Sequence, residues 1–257
     1  MQMKLCRPVP RALHFCKPWV ALFCALALPS VAIPAPSDAH VFVDSAGRRV
    51  TVATHIERVY AAGPPAAIFL YTLAPERLIG WNRPLRPDEE AFMPERYARL
   101  PVLGRLTGRA NTASLEAMLK TRPQLILDYG SLSQTYVSLA DRVQAQTGVP
   151  YVLIDGSFKS IARAYRLLGG ILDLRERAEQ LARYAEQTQA EVTSLLQKVP
   201  ADHRPRVYYA RRADGLETGL GGSINVELLE LVGAVNVAGV GGERGGLTSI
   251  SMEQILN

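Results

Sequence analysis

Between Ser160 and Pro200 the chain carries a helical run with no strand signal, and this run constrains the fold more than any other stretch. Ser160 to Leu172 reads as one helical segment. Asp173-Leu174-Arg175-Glu176 then supplies an acidic N-cap with Glu at the third helical position, a pattern that restarts a helix. From Leu174 the apolar positions fall at Ala178, Leu181, Ala185, Val192 and Leu195, and Pro200 ends the run. At 1.5 Å per residue this helix is roughly 35 Å long. Strand and helix signals alternate on both sides of it. The arrangement predicts an α/β fold of two Rossmann-like lobes joined by one long connecting helix.

The alternation is plain before the helix. Asp44-Ser45-Ala46-Gly47, flanked by alternating β-branched residues, marks a hairpin. Strands are expected at Arg58–Ala62, Leu78–Trp81, Leu125–Asp128 and Tyr151–Ile154, and helices at Pro65–Leu73, Ser114–Thr121 and Ser133–Thr147. After it, strands are expected at Arg206–Ala210 and Val235–Ala238, with helices at Asn225–Val232 and from Ser251. The divisions are therefore a leader at 1–32, an N-terminal α/β lobe at 40–157, a connecting helical segment at 158–199 and a partial C-terminal α/β lobe at 200–257.

The two halves also share wording. Leu70–Gly80 lies over Leu229–Gly239 at a constant offset of 159, and the helix openings at Ser114 (S-L-E-A-M-L) and Ser251 (S-M-E-Q-I-L) match at an offset of 137. Two matches in the same order indicate one plan used twice.

The leader differs in composition from the rest. It holds Lys4, Arg7, Arg11 and Lys17 with no acid, then the apolar run Trp19–Leu28, then Ser30-Val31-Ala32 with small residues where a signal peptidase reads. This is an export signal with cleavage near Ala32; its apolar run is too short to cross a bilayer. Without it the formal net charge falls from +5 to +1, and Cys6, Cys16 and Cys24, all the cysteines, are gone. The near-neutral remainder is not a nucleic-acid binder, and it has no disulfide or thiolate metal site.

Catalytic signatures are missing from the sequence. His40, His55 and His203 stand in no metal-ligand spacing, there is no G-x-S-x-G, and Gly219-Leu220-Gly221-Gly222-Ser223 lacks the Lys of a phosphate-binding loop. Binding is the better reading, since ligands of open α/β lobes meet the loops at the carboxyl ends of strands. The loops that would face an interlobe cleft are 62–65, 81–86, 104–109, 129–131 and 155–157 on one side, and 208–212, 218–223 and 239–246 on the other. They carry Arg83, Arg86, Arg105, Arg109, Arg211, Arg212 and Arg244, whose planar forks suit carboxylates, hydroxamates and other anionic oxygens. Trp81, Tyr129, Tyr208 and Tyr209 lie at strand ends, where rings can pack on a bulky chelate; Asn82 and Asn225 can hydrogen-bond ligand.

The order of D-S-A-G-R-R-V-T-V, S-L-E-A-M-L-K-T-R-P-Q-L-I-L, N-V-E-L-L-E-L-V-G-A-V-N-V-A-G and S-I-S-M-E-Q-I-L-N resembles the periplasmic solute-binding proteins of the ferric-siderophore and vitamin B12 class, over about Val41 to Asn257. The resemblance implies a periplasmic monomer, without cofactor or catalytic step, that captures a metal chelate between two lobes and delivers it to the permease dimer of an ABC importer. Ferric siderophore is the first expected ligand, then cobalamin or heme. A molybdate or tungstate oxyanion is the alternative, and a chelatase-like exported enzyme the rival outside binding. Expected ligand contacts are Trp81, Asn82, Arg83, Arg105, Tyr129, Tyr208, Arg211, Arg212 and Arg244. Glu116 and Glu253, one in each S-x-E opening, resemble the surface acids that dock on permease arginines, although the helix macrodipole alone also favours acids there. Family members usually continue for several elements after the second such opening, so the C-terminal lobe is expected to be truncated.

Overall fold

The computed structural model describes residues 39–108, 112–239 and 246–256, all within one compact unit, Pro36–Asn257. The chain opens with the hairpin β1 (Ala39–Val43) and β2 (Arg49–Ala53), paired antiparallel around the expected turn, with Gly47 at φ 79°. The Asp44 carboxylate accepts the Leu153 N–H at 3.2 Å and the Arg48 guanidinium at 3.0 Å. Arg48 also donates to the Tyr151 carbonyl at 2.8 Å, which ties the hairpin to a sheet edge about 100 residues away in sequence.

That sheet is parallel, in the order β3 (Val59–Ala61), β4 (Leu125–Gly130), β5 (Tyr151–Asp155). Leu78 and Trp81, expected in a further strand, make single parallel bridges to Val59 and Val102. Side chains alternate across the strands. Val59, Ala61, Leu125, Leu127, Val152 and Ile154 join one apolar cluster, with α1 (Pro64–Leu73), α6 (Ile161–Leu172) and the start of α7 (Arg175–Leu196). Tyr60, Ile126, Tyr151 and Leu153 join the other, with Met118 of α4 (Leu115–Lys120) and Ala140 and Val143 of α5 (Gln134–Thr147). A parallel sheet covered on both faces needs such continuously apolar strands, and each fully buried aliphatic side chain contributes about 1.5–3 kcal/mol.

Between Trp81 and Val102 the chain forms two short helices, α2 (Pro87–Glu90) and α3 (Glu95–Ala98), that periodicity does not announce. Ser114 caps α4, its hydroxyl accepting the Ala117 N–H at 3.3 Å.

Helix α7 is 22 residues long, about 33 Å. Its start differs from the sequence reading. Asp173 takes a left-handed conformation, φ 55°, and ends α6; Leu174 is the N-cap of α7 and no side chain caps it. Gly169 explains the tight joint, since a Cβ there would lie 2.2 Å from that of Ala178. Arg166 binds Glu179 at 2.7 Å and Glu186 at 2.6 Å across the two helices.

Beyond α7 the strands are short. β6 (Arg206–Val207) pairs parallel with β8 (Val235–Asn236), and β7 (Glu217–Gly219) pairs antiparallel with β9 (Leu247–Ser249). Two helices accompany them, α8 (Glu227–Leu231) and α9 (Met252–Leu256). Ser251 and Gln254 cap α9 reciprocally, at 2.9 and 3.2 Å. Among the described residues no helix is long and apolar enough to cross a membrane.

Candidate functional site

The parallel sheet directs the loops after β3, β4 and β5 to one side, and buried polar bonds hold them there. The Tyr60 hydroxyl donates to the Gly104 carbonyl at 2.8 Å. The Asn82 amide donates to the carbonyls of Ala61 at 2.8 Å and Gly104 at 2.9 Å. Leu106 and Thr107 N–H groups both reach the Ala62 carbonyl. Close backbone approach requires small residues: a Cβ on Gly156 would lie 2.6 Å from the Gly130 Cα.

A hollow of about 760 Å³ opens between these strand ends and the chain beyond α7. Gly130, Ser131, Asp155 and Ser157 line the first side; Ser223, Asn225, Glu227 and Gly246 line the second. Glu227 bridges the two, its carboxylate accepting the N–H of Phe158 at 2.7 Å and of Lys159 at 3.3 Å, just before α6. Gln189 of α7 donates to the Phe158 carbonyl at 2.8 Å, so three parts of the chain meet at this residue. Burial disfavours ionised Asp155, but hydrogen bonds from Ser157 and Ser160 and the Lys159 charge outweigh it and hold the carboxyl below its ordinary value. The lining is thus hydroxyl-rich, with the Asp155 carboxyl held in its ionised form at its edge.

The sequence-predicted residues fall into three groups. In the first, Asn82, Arg83 and Arg105 line a separate groove of about 610 Å³ that includes Ser114 and has no lining residue in common with the hollow. Trp81 is only 3% exposed; its indole N–H donates to the Tyr97 carbonyl at 2.8 Å and its ring packs in the core beside Tyr71, so it does not present a free face to a cleft. Arg83 is bound by both oxygens of Glu89, at 2.7 and 2.5 Å.

In the second group, Tyr129 stacks on Phe69 with centroids 4.2 Å apart and planes within 3°. Burial, with the nearby Tyr165, Asp155 and Glu227, pushes its hydroxyl up to about 12. Past α7, the Tyr208 hydroxyl donates to the Gly215 carbonyl at 2.7 Å. Arg211 contacts Glu217 at 3.3 Å and Asn225 at 3.1 Å, and Arg212 contacts Glu217 at 3.5 Å. These arginines face a carboxylate of their own chain, which the sequence reading did not anticipate. Arg109 and Arg244 lie outside the described residues.

The third group is the glutamate pair. Glu116 is exposed in the first turn of α4, 2.7 Å from Lys120, and Glu253 is exposed in the first turn of α9. Among the described residues no group of three or more His, Cys, Asp or Glu side chains could hold a metal ion. Glu227 and Asp155 escaped the sequence reading as individuals, although the loops 129–131, 155–157 and 218–223 contribute to the hollow. A carboxylate at a helix start and one at a strand end are common surface features, and nothing local marks these two.

Comparisons with known proteins give a consistent picture. A family model described as periplasmic binding protein matches residues 83–257. An ABC transporter solute binding protein from Sulfurospirillum deleyianum superposes with TM-score 0.71 at 28% identity, over 84% of this chain and 68% of that one. A molybdate periplasmic binding protein of a Haemophilus influenzae ABC transporter, MolA, gives TM-score 0.63 at 18% identity, over 84% and 71%. The heme-binding protein RhuT from Roseiflexus sp. RS-1 gives 0.59 at 20%, over 78% and 72%. The chain thus spans about two thirds to three quarters of the length of these relatives. No curated protein sequence matches it.

Proposed function

This chain belongs to the periplasmic binding protein family, and we propose that it is the exported substrate-binding component of an ABC importer, holding a metal chelate between two α/β lobes bridged by α7. The observation that carries the reading is the hollow of about 760 Å³ walled by residues from both sides of α7. That volume lies within the range of small-molecule sites, about 300–1,000 Å³. The reading includes secretion by the leader at residues 1–32 and residence in the periplasm.

A ferric siderophore fits the lining best. Ser131, Ser157, Ser223 and Asn225 offer hydrogen bonds to the many oxygens of a hydroxamate chelate, whose three monoanionic arms neutralise the ferric ion. A bare dianion would face the carboxylates of Asp155, Glu227 and Glu230 against the single cation of Lys159, and like charges at close range are unfavourable. Heme is the ligand of one structural relative and molybdate of another, so both belong in the comparison set with cobalamin. In this reading Asn82, Arg83 and Arg105 contact the ligand from the separate groove that they line. Tyr129, Tyr208, Arg211, Arg212 and Arg244 contact the ligand, with Arg211 and Arg212 exchanging Glu217 for ligand oxygens on closure. Glu116 and Glu253 dock on the permease dimer.

Titration calorimetry with ferric hydroxamate and catecholate siderophores, cobalamin, heme and molybdate tests the assignment. Saturable one-to-one binding of a siderophore supports it; binding of molybdate alone assigns the oxyanion class instead, and no binding by any of them overturns the transport reading. Charge reversal at Glu116 and Glu253 should abolish uptake while leaving that binding intact.

A further inference from the structure

The dipeptide Asp-Gly occurs twice in the sequence, at Asp155-Gly156 and at Asp214-Gly215. An aspartyl side chain followed by glycine is open to attack by the next backbone nitrogen, because glycine has no Cβ to hinder the approach and leaves the backbone free to turn. The fold gives the two pairs opposite surroundings.

Asp155 ends β5 and is half-buried, with both oxygens engaged: Oδ1 accepts the Ser157 N–H at 2.9 Å and Oδ2 the Ser160 hydroxyl at 2.8 Å. The nitrogen that would attack it is also committed, since the Gly156 N–H donates to the Gly130 carbonyl at 2.9 Å. Gly156 and Gly130 pack backbone to backbone, so that nitrogen cannot swing towards the carboxylate without moving a strand end. Ring closure here has to break all three bonds at once.

Asp214 is exposed, at the tip of a loop closed by the Arg211 N–H, which donates to the Glu217 carbonyl at 2.8 Å. Its side chain folds back over Gly215, Oδ1 accepting the Leu216 N–H at 3.0 Å. The Gly215 N–H reaches only the Arg212 carbonyl, at 3.3 Å, beyond the usual span of about 2.7–3.2 Å. Both Arg212 and Gly215 take left-handed conformations, φ 65° and 71°. Carboxyl and nitrogen thus lie side by side in an exposed turn, with weak competition for the nitrogen. Exposed loop tips are also where local rearrangement is tolerated.

We infer that Asp214-Gly215 is a site of spontaneous isoaspartate formation and that the fold protects Asp155-Gly156 from the same reaction. The Gly215 nitrogen bonds to Asp214 Cγ, the carboxyl C–OH bond breaks, and the hydroxyl leaves as water with the amide proton, which closes a five-membered succinimide. Water then adds to one of the two ring carbonyls and breaks its bond to the Gly215 nitrogen. Opening at Cγ restores aspartate. Opening at the main-chain carbonyl leaves the chain running through Cβ and Cγ, with a free α-carboxylate. One water is lost and one regained, so the reaction needs no other reagent. The main chain gains a methylene between Arg211 and Glu217, and the Gly215 carbonyl is drawn away from the Tyr208 hydroxyl, which donates to it at 2.7 Å. The inference does not depend on the transport reading.

The full chain, held for several weeks at physiological temperature in heavy-oxygen water and then digested in ordinary water, provides the test. Electron-transfer mass spectrometry of the peptides distinguishes isoaspartyl from aspartyl linkages, and heavy oxygen marks every ring that has opened. In the folded protein isoaspartate at Asp214 should exceed that at Asp155 at least tenfold. In guanidinium chloride, where both pairs are ordinary Asp-Gly, the two should come within about threefold of each other. Asp214→Glu, at an exposed position, would have to close a six-membered ring and should lose the label there. No isoaspartate at Asp214, equal amounts at the two pairs in the folded protein, a contrast that persists undiminished in denaturant, or a label retained by Asp214→Glu would each overturn the inference.

Discussion

Asp128 is the most instructive place to perturb the fold. It lies in β4 and is 5% exposed, and its carboxylate accepts the Tyr151 hydroxyl at 3.1 Å. Burial pushes the carboxyl up to about 6 from an ordinary 3.8, with hydrogen bonds from Tyr151 and the Tyr129 backbone resisting. Between those two values the folded protein holds a proton that the unfolded chain has lost. The folded state then binds more protons, and stability must fall as pH rises. A displacement of this size amounts to about 3 kcal/mol in all, of which about 2 kcal/mol disappears between pH 4.5 and 7. Asp128→Asn keeps an oxygen for the Tyr151 hydroxyl and removes the ionisation. Urea unfolding midpoints at several pH values should therefore show the wild type losing about 2 kcal/mol across that interval relative to the variant. The comparison concerns the difference in slope, so any constant cost of the new amide does not enter. Parallel curves for the two proteins would refute the reasoning, because they would mean that Asp128 ionises as freely in the fold as in the unfolded chain.

Other perturbations test the joints of the site. Glu227→Ala removes the acceptor for the Phe158 and Lys159 N–H groups. Hydrogen bonds to a charged group are worth about 1.5–3 kcal/mol, so exchange at the Phe158 amide should accelerate roughly ten- to hundredfold; an unchanged rate would show that the bridge contributes nothing. Gly169→Ala places a methyl 2.2 Å from Ala178 at the α6–α7 joint. It should cost about 1–3 kcal/mol in thermal or denaturant unfolding, and a neutral outcome would mean that the helices part without penalty.

The fold was legible where its causes are local. The apolar strands from Leu125 and Tyr151 and the helix opening at Ser114 lie where the sequence pattern puts them, because burial on both faces of a strand and the start of a helix are decided by neighbouring residues. Asp173 was misread because the same short polar side chain suits an N-cap and a left-handed helix end, and only packing of Gly169 against Ala178 decides between them. Trp81 shows a similar limit. A ring at a strand end can turn into the core or out to a cleft, and the choice here follows from α3, whose Tyr97 carbonyl accepts the indole N–H. The pairing of Arg83 with Glu89 and of Arg211 with Glu217 spans six residues through turns, a spacing that helical or strand periodicity does not flag. Glu227 and Phe158 are 69 residues apart, and their meeting is a product of the tertiary fold.

The central claim is that the hollow between the ends of β4 and β5 and the chain beyond α7 receives the ligand. Gly130 lines it, and a Cβ built on this glycine meets nothing within 4 Å, so Gly130→Tyr fills the space without disturbing the backbone. Side-by-side calorimetric titration of the wild type and this variant with the tightest-binding chelate is the direct measurement. The account predicts one-to-one binding to the wild type and at least tenfold weaker binding to the variant; equal affinities would contradict it.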